Sequence, residues 1–271
     1  WHQFQSIGAR TLVLMVLAVS SVVLFGWVAG IPIITRVADS FPAMVFNTAL
    51  FFALICLGLL CDRHVIFGFC SQITGSIVFV LSGLTLLQYW FGTSLGIDQL
   101  FWSDTSADAL TLRPSSSTCW TFMLLAGLMM LGSIIKRHSY HLIIAWIILG
   151  VLTPTIAAMI YLYEYSDLAR IGALSTMAIH TSLSFILLYI AIALSVRRES
   201  NGALSHENSP GFRQFRRLIL PTLFIPLGLG AILHQLVKLE YFTASFGMAT
   251  MASGFCLTIV SVLLWNSRRE D

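Results

Sequence analysis

Ala173-Leu174-Ser175-Thr176-Met177-Ala178-Ile179-His180-Thr181-Ser182-Leu183-Ser184-Phe185 opens a run that stays apolar to Val196 and stops at Arg197-Arg198. A run of this length predicts a helix able to cross about 30 Å of hydrocarbon. It carries an imidazole at membrane depth and ends in a basic loop, so it points to both an orientation and a first candidate site. Three further arginines, Arg213, Arg216 and Arg217, lead from that loop into the next apolar run.

The composition around this stretch agrees with it. Only 10% of the 271 residues are charged, 57% are apolar and the mean hydropathy is +0.86. A soluble domain has a surface to cover and carries about a quarter of its residues as charges. The class is therefore a polytopic membrane protein. The net charge of +3 is no nucleic-acid signature, because the basic residues sit beside the ends of apolar runs. Cys56, Cys61, Cys70, Cys119 and Cys256 form no C-x-x-C and read as buried small side chains rather than a disulfide or metal set. No small-residue cleavage pattern follows the first apolar run, so a signal peptide is not expected.

Eight apolar spans can be drawn, at 11–33, 42–61, 65–91, 116–135, 141–163, 173–196, 218–239 and 243–265. An even number puts both termini on one side. The gaps on that side hold Arg10, Arg63, Lys136, Arg137, Arg197, Arg198, Arg213, Arg216, Arg217, Arg268 and Arg269, against Arg36, Arg113, Arg170 and Lys238 on the other. By the positive-inside bias both termini are cytoplasmic.

A short pattern recurs in the even-numbered spans. Thr48 precedes Phe52, Thr118 precedes Phe122 and Thr181 precedes Phe185, each at four residues and each followed by a Leu-rich run. Span eight keeps a Phe, Phe255, at a comparable offset, but Met251 stands where the Thr would be. A chance T-x-x-x-F match in Phe-rich sequence explains one pair less strainedly than three at the same helix depth. The expected fold is thus an all-α polytopic membrane bundle of eight transmembrane helices. It forms a single integral-membrane domain over 1–271, built from four repeated hairpins at 11–61, 65–135, 141–196 and 218–265.

Five residues stand out as candidate ligand contacts: His180, Thr181, Glu164, His234 and Tyr161. His180 and His234 lie at similar height on spans running in opposite directions. Two facing imidazoles suit haem ligation or part of a transition-metal site. The plainer reading gives His180 a hydroxyl partner on a neighbouring helix and leaves His234 in the interfacial zone. Glu164 stands among Tyr161, Tyr163 and Tyr165. A carboxylate ringed by amphipathic rings suits a cationic or hydroxylated ligand, although an aromatic belt at the headgroups explains the tyrosines as well. In the 92–115 gap, Asp98, Asp104 and Asp108 are spaced as a cation site could use them, and a solvated loop is the simpler account. There is no nucleotide-binding motif and no catalytic constellation, so no catalytic residue is assigned.

Some segments resemble a known family. They are Gly172 to Phe185 with its Leu-rich continuation, Arg213 to Pro221, and Leu95-Gly96-Ile97-Asp98-Gln99-Leu100. Arg113-Pro114 and the closing Leu263 to Arg269 also match. Together they resemble the N-terminal multi-helix membrane-associated sensor (MASE-like) regions of bacterial signalling proteins, which precede PAS, histidine kinase or diguanylate cyclase modules. The resemblance implies a signal-input domain in the bacterial inner membrane, surrounded by lipid and binding an unidentified small ligand. It also implies a cytoplasmic output module after 271, through which the protein forms a homodimer. No cofactor and no nucleic acid are expected. The competing readings are a small-molecule transporter and a haem- or metal-binding membrane protein using His180 and His234.

Overall fold

In a computed structural model of the chain, residues 2–36, 41–61, 68–99, 113–138, 140–162 and 177–203 are described, with 228, 230, 232, 235–237, 239 and 241. The chain divides into two compact units, Trp1–Ser200 and Asn201–Asp271. In the second, short helical stretches close with the Leu239 N–H donating to the Gln235 carbonyl at 2.9 Å and the Tyr241 N–H to that of Leu236 at 3.0 Å. The first unit holds nearly everything else described. Its elements are α1 (His2–Ala29), α2 (Pro32–Thr35), α3 (Phe46–Cys61), α4 (Phe69–Phe91), a 3-10 turn (Ile97–Gln99), α5 (Ser116–His138), α6 (Tyr140–Leu162) and α7 (Ile179–Ala203). All regular structure among the described residues is helical.

Local chemistry sets these boundaries. In α1, Ala9, Val13, Val16, Ser20 and Val23 recur at three and four residues and form the buried stripe. The helix then ends in a Schellman turn. Gly30 takes φ of +66°, its N–H reaches the Trp27 carbonyl at 3.3 Å, and the Ile31 N–H reaches that of Gly26 at 2.9 Å. Pro32, which lacks the N–H that a first helical turn leaves unused, starts α2 immediately after.

Helix α4 shows which solvent these helices meet. Its buried face is Ser71, Gly75, Val78, Ser82, Thr85 and Gln88, small and mostly polar. Ile73, Ile77, Val80, Leu87 and Trp90 point outward, the last 81% exposed. In water that pattern would be inverted. In lipid it is favourable, because apolar side chains match the acyl chains while small residues let backbones approach and hydroxyls bond inward.

Three helices among the described residues are long and apolar enough to cross a membrane: Gly8–Ala29, Phe69–Phe91 and Leu142–Met159. They place the chain among multi-pass membrane proteins, and they overturn the expectation of eight transmembrane helices. The apolar parts of the intervening helices are shorter, Phe46–Cys61, Ser116–Gly132 and Ile179–Ser195. The 16 residues of α3 rise about 24 Å, short of a full crossing. The sequence windows ran long because they counted Pro42–Val45, which is not helical, and Met177-Ala178, which precede α7. The spans drawn at 218–239 and 243–265 lie almost wholly outside the described residues, as does the fourth hairpin.

Helices α1 and α3, α3 and α4, α4 and α5, and α5 and α6 pack as neighbours. A glycine marks several of the contacts. Gly75 sits where a Cβ would lie 3.1 Å from Met129 Cβ and 3.2 Å from the Ala126 carbonyl oxygen, and Gly127 lies under Trp146, whose Nε1 donates to the Leu124 carbonyl at 2.9 Å. The buried ring of Tyr189 on α7 occupies the space where a Gly150 Cβ would be. Gly150→Ala should therefore lower stability by about 1–3 kcal/mol, the usual cost of overpacking a rigid ring. Gly83→Ala, which meets only the end of Met123 at 3.9 Å, should be neutral or stabilising. Reversible unfolding of both variants in mixed micelles checks the contrast.

At the centre of the unit Phe52, Phe122 and Phe185, none with any exposed surface, meet one another. Their ring centroids are 4.8 Å apart for Phe52 and Phe122, 4.7 Å for Phe52 and Phe185, and 4.6 Å for Phe122 and Phe185, all tilted or edge to face. Quadrupole attraction favours these arrangements over stacked sandwiches. The three recurrent Phe residues of the sequence pattern thus form one cluster, contributed by α3, α5 and α7.

Candidate ligand pocket

One turn before each of those rings stands a recurrent Thr, and all three Thr residues line a single cavity of about 360 Å³. The register is the same in each helix. Val45, Ser115 and Ala178 are the N-caps, and their carbonyls accept from the N–H of Ala49 at 3.2 Å, Cys119 at 2.9 Å and Ser182 at 3.0 Å. Thr48, Thr118 and Thr181 are then each the third helical residue. Three helix N-termini, with their unused N–H groups and positive dipole ends, consequently converge on the cavity.

The three ends are capped differently. Ser115 serves α5, its Oγ accepting from the Thr118 N–H at 3.3 Å and lying 2.7 Å from Thr118 Oγ1. Val45 and Ala178 have no side-chain oxygen to offer. Thr48 and Thr181 are each 2% exposed, and neither hydroxyl makes a hydrogen bond among the described residues.

A buried ion pair forms one wall. Arg113 donates to Asp98 Oδ2 from Nε and from a terminal nitrogen, both at 2.8 Å. Gln88 Nε2 donates to Asp98 Oδ1 at 3.2 Å, while its Oε1 accepts from the Leu95 N–H at 2.7 Å. Asn47 Nδ2 donates to the carbonyls of Ile97 at 3.4 Å and Asp98 at 3.2 Å, fastening the loop to α3. The Arg113 guanidinium lies 5.2 Å from the Tyr89 ring centroid, and the Tyr89 hydroxyl donates to the Pro114 carbonyl at 3.0 Å. Both carboxylate oxygens are satisfied, so Asp98 is neutralised inside the wall. Arg36 also lines the cavity, is exposed, and makes no ion pair among the described residues.

The residues singled out from sequence fare unequally. Thr181 lines the cavity. Tyr161 lies close by, donating to the Met177 carbonyl at 2.6 Å with its ring 5.0 Å from that of Phe41. His180 is half-buried, and neither ring nitrogen has a hydrogen-bond partner among the described residues, so the hydroxyl partner expected for it is not found there. Glu164 and His234 lie outside the described residues, and with them the proposed pairing of imidazoles. No group of three or more His, Cys, Asp or Glu side chains gathers among the described residues. Asp98, read as part of a solvated loop, is instead buried and paired, because Arg113 and Gln88 reach it from neighbouring elements. Asp104 and Asp108 lie outside the described residues.

Arg36, Thr48, Thr118 and Arg113 were not singled out as site residues. The Thr-x-x-x-Phe recurrence was the signal that could have found two of them. No protein-family model matches this chain, and neither a curated protein nor a solved structure does.

Proposed function

We propose that this chain is a membrane-embedded signal-input domain. A small ligand enters the cavity at the shared ends of α3, α5 and α7 and biases how these helices pack. The observation that supports this reading is the layering of the three helices. Thr48, Thr118 and Thr181 line the cavity, and one turn further along the same helices Phe52, Phe122 and Phe185, which do not line it, pack against one another. A transporter needs a polar route between the two sides, whereas a receptor needs a site that ends blind. A ligand touching all three helices shifts their arrangement to the extent that it binds one packing more tightly than another.

Orientation follows from charge. Lys136-Arg137 and Arg197-Arg198 lie toward the far ends of α5 and α7. The positive-inside bias makes those ends cytoplasmic and opens the cavity on the outer face of a bacterial inner membrane. The cue is then extracytoplasmic or membrane-borne. The output is a cytoplasmic histidine kinase or diguanylate cyclase module, as the resemblance to membrane-associated sensor regions implies, working as a homodimer.

The test is retention without transport. The chain in lipid nanodiscs is dialysed against a soluble metabolite extract, and retained compounds are identified by mass spectrometry. A compound held by the native chain, lost in Thr181→Trp and not accumulated by proteoliposomes is the expected result. Accumulation against a gradient would establish the transporter reading instead. An absorption spectrum and metal analysis of the same preparation should show neither a Soret band nor stoichiometric metal; either signal, lost in His180→Ala, would restore the haem or metal reading.

A further inference from the structure

Resting on the receptor reading of this cavity, we infer that its ligand is an anionic oxygen group, a carboxylate or phosphate, held between Arg36 and the N-termini of α3, α5 and α7. Charge is the first ground. Asp98 already neutralises Arg113, so Arg36 leaves the lining with a net positive charge. Three helix N-termini add about half a charge each, directed at the same space. Among the described residues no acidic side chain lines the cavity.

Unspent hydrogen-bonding capacity is the second ground, and it is independent of the first. Thr48 and Thr181 are buried, line the cavity, and keep hydroxyls with no partner among the described residues. The little surface that Thr48 and Thr181 keep belongs to residues of the cavity lining, where their hydroxyls can meet a ligand's acceptor oxygens. The N-caps above them, Val45 and Ala178, leave first-turn N–H donors unserved by any capping side chain. The Thr48 and Thr181 hydroxyls and the first-turn N–H groups can all donate to acceptor oxygens of a ligand. That selects an acceptor-rich ligand over a cation. The volume, about 360 Å³, lies at the small end of the usual range for ligand sites, roughly 300–1,000 Å³.

An anionic headgroup of a lipid and a free anion offer the same chemistry, and the experiment separates them. The full chain is placed in phosphatidylcholine nanodiscs and titrated calorimetrically with inorganic phosphate and with acetate. In a second arm, phosphatidylglycerol replaces part of the lipid and the unfolding midpoint is read without added anion. Saturable binding of either soluble anion, weakened at least tenfold by Arg36→Gln and about fivefold by Thr48→Val or Thr181→Val, supports the site. Arg10→Gln, the same change of charge near the start of α1, should leave binding unchanged. A rise in midpoint with phosphatidylglycerol that Arg36→Gln removes, with no binding of soluble anion, supports the same site with a lipid source. The inference is overturned if no anion in either arm gives an effect sensitive to Arg36→Gln. It is overturned too if glucose or choline binds, is weakened by Thr181→Val, and neither anion does; in that case the receptor reading survives. Phosphate that binds at Arg36 and then accumulates in proteoliposomes keeps the anion site and removes the receptor reading.

Discussion

Asp98→Ala should destabilise the first unit by about 3–5 kcal/mol, the cost of leaving a buried charge without its partner. Arg113 is buried, with both donating nitrogens spent on one carboxylate oxygen. Without that carboxylate the guanidinium keeps, among the described residues, only the Tyr89 ring, and Gln88 loses its acceptor at Oδ1. The pair itself need not be strongly stabilising, because desolvating two charges offsets most of their attraction. Joint replacement is therefore the informative comparison. Asp98→Leu with Arg113→Met should recover most of the loss, and the double-mutant cycle should give a coupling of several kcal/mol. A cost below about 1 kcal/mol for Asp98→Ala would show a solvated pair of the ordinary surface kind.

Phe122→Ala is expected to cost about 2–3 kcal/mol. In water, truncating a buried Phe costs about 3–5 kcal/mol, part of which is the transfer of ring surface. In a bilayer the unfolded helix keeps that ring in hydrocarbon, so the transfer part shrinks and the lost packing remains. Among the described residues Phe122 contacts Phe51 at 5.5 Å between centroids as well as Phe52 and Phe185, more rings than either other member of the cluster. Phe122→Leu, which refills most of the space, should cost under about 1.5 kcal/mol. Steric-trap unfolding in bicelles measures both. Equal costs would mean that the aromatic contacts contribute little beyond filling volume.

The Thr-x-x-x-Phe recurrence is legible in the sequence because helix geometry preserves it. Four residues are about one turn, so Thr and Phe share a face, and any packing that brings together one residue of each copy brings the other. His180 was singled out with Thr181, yet adjacent helical residues point about 100° apart, and only Thr181 lines the cavity. Asp98 was misread because its neighbours Gly92, Thr93, Ser94 and Gly96 look like a solvated loop. Its burial depends on Arg113, 15 residues later, and Gln88, ten earlier. The count of membrane crossings failed for a related reason. Average hydropathy does not reveal that Pro42–Val45 lie outside the helix, nor that α5 and α7 begin with hydroxyl-rich turns that line a cavity.

The central claim of the receptor reading is that the site at the three helix ends stops short of the Phe52, Phe122 and Phe185 cluster. Cysteine accessibility tests it most directly. In a cysteine-free background, single cysteines at 48, 118 and 181, and at 52, 122 and 185, are exposed in proteoliposomes to a membrane-impermeant sulfonated thiol reagent, added to either face. The account predicts that the first three react from one face only and the second three from neither. Labelling at 52, 122 or 185, or labelling at 181 from both faces, would reveal a continuous aqueous path and contradict it.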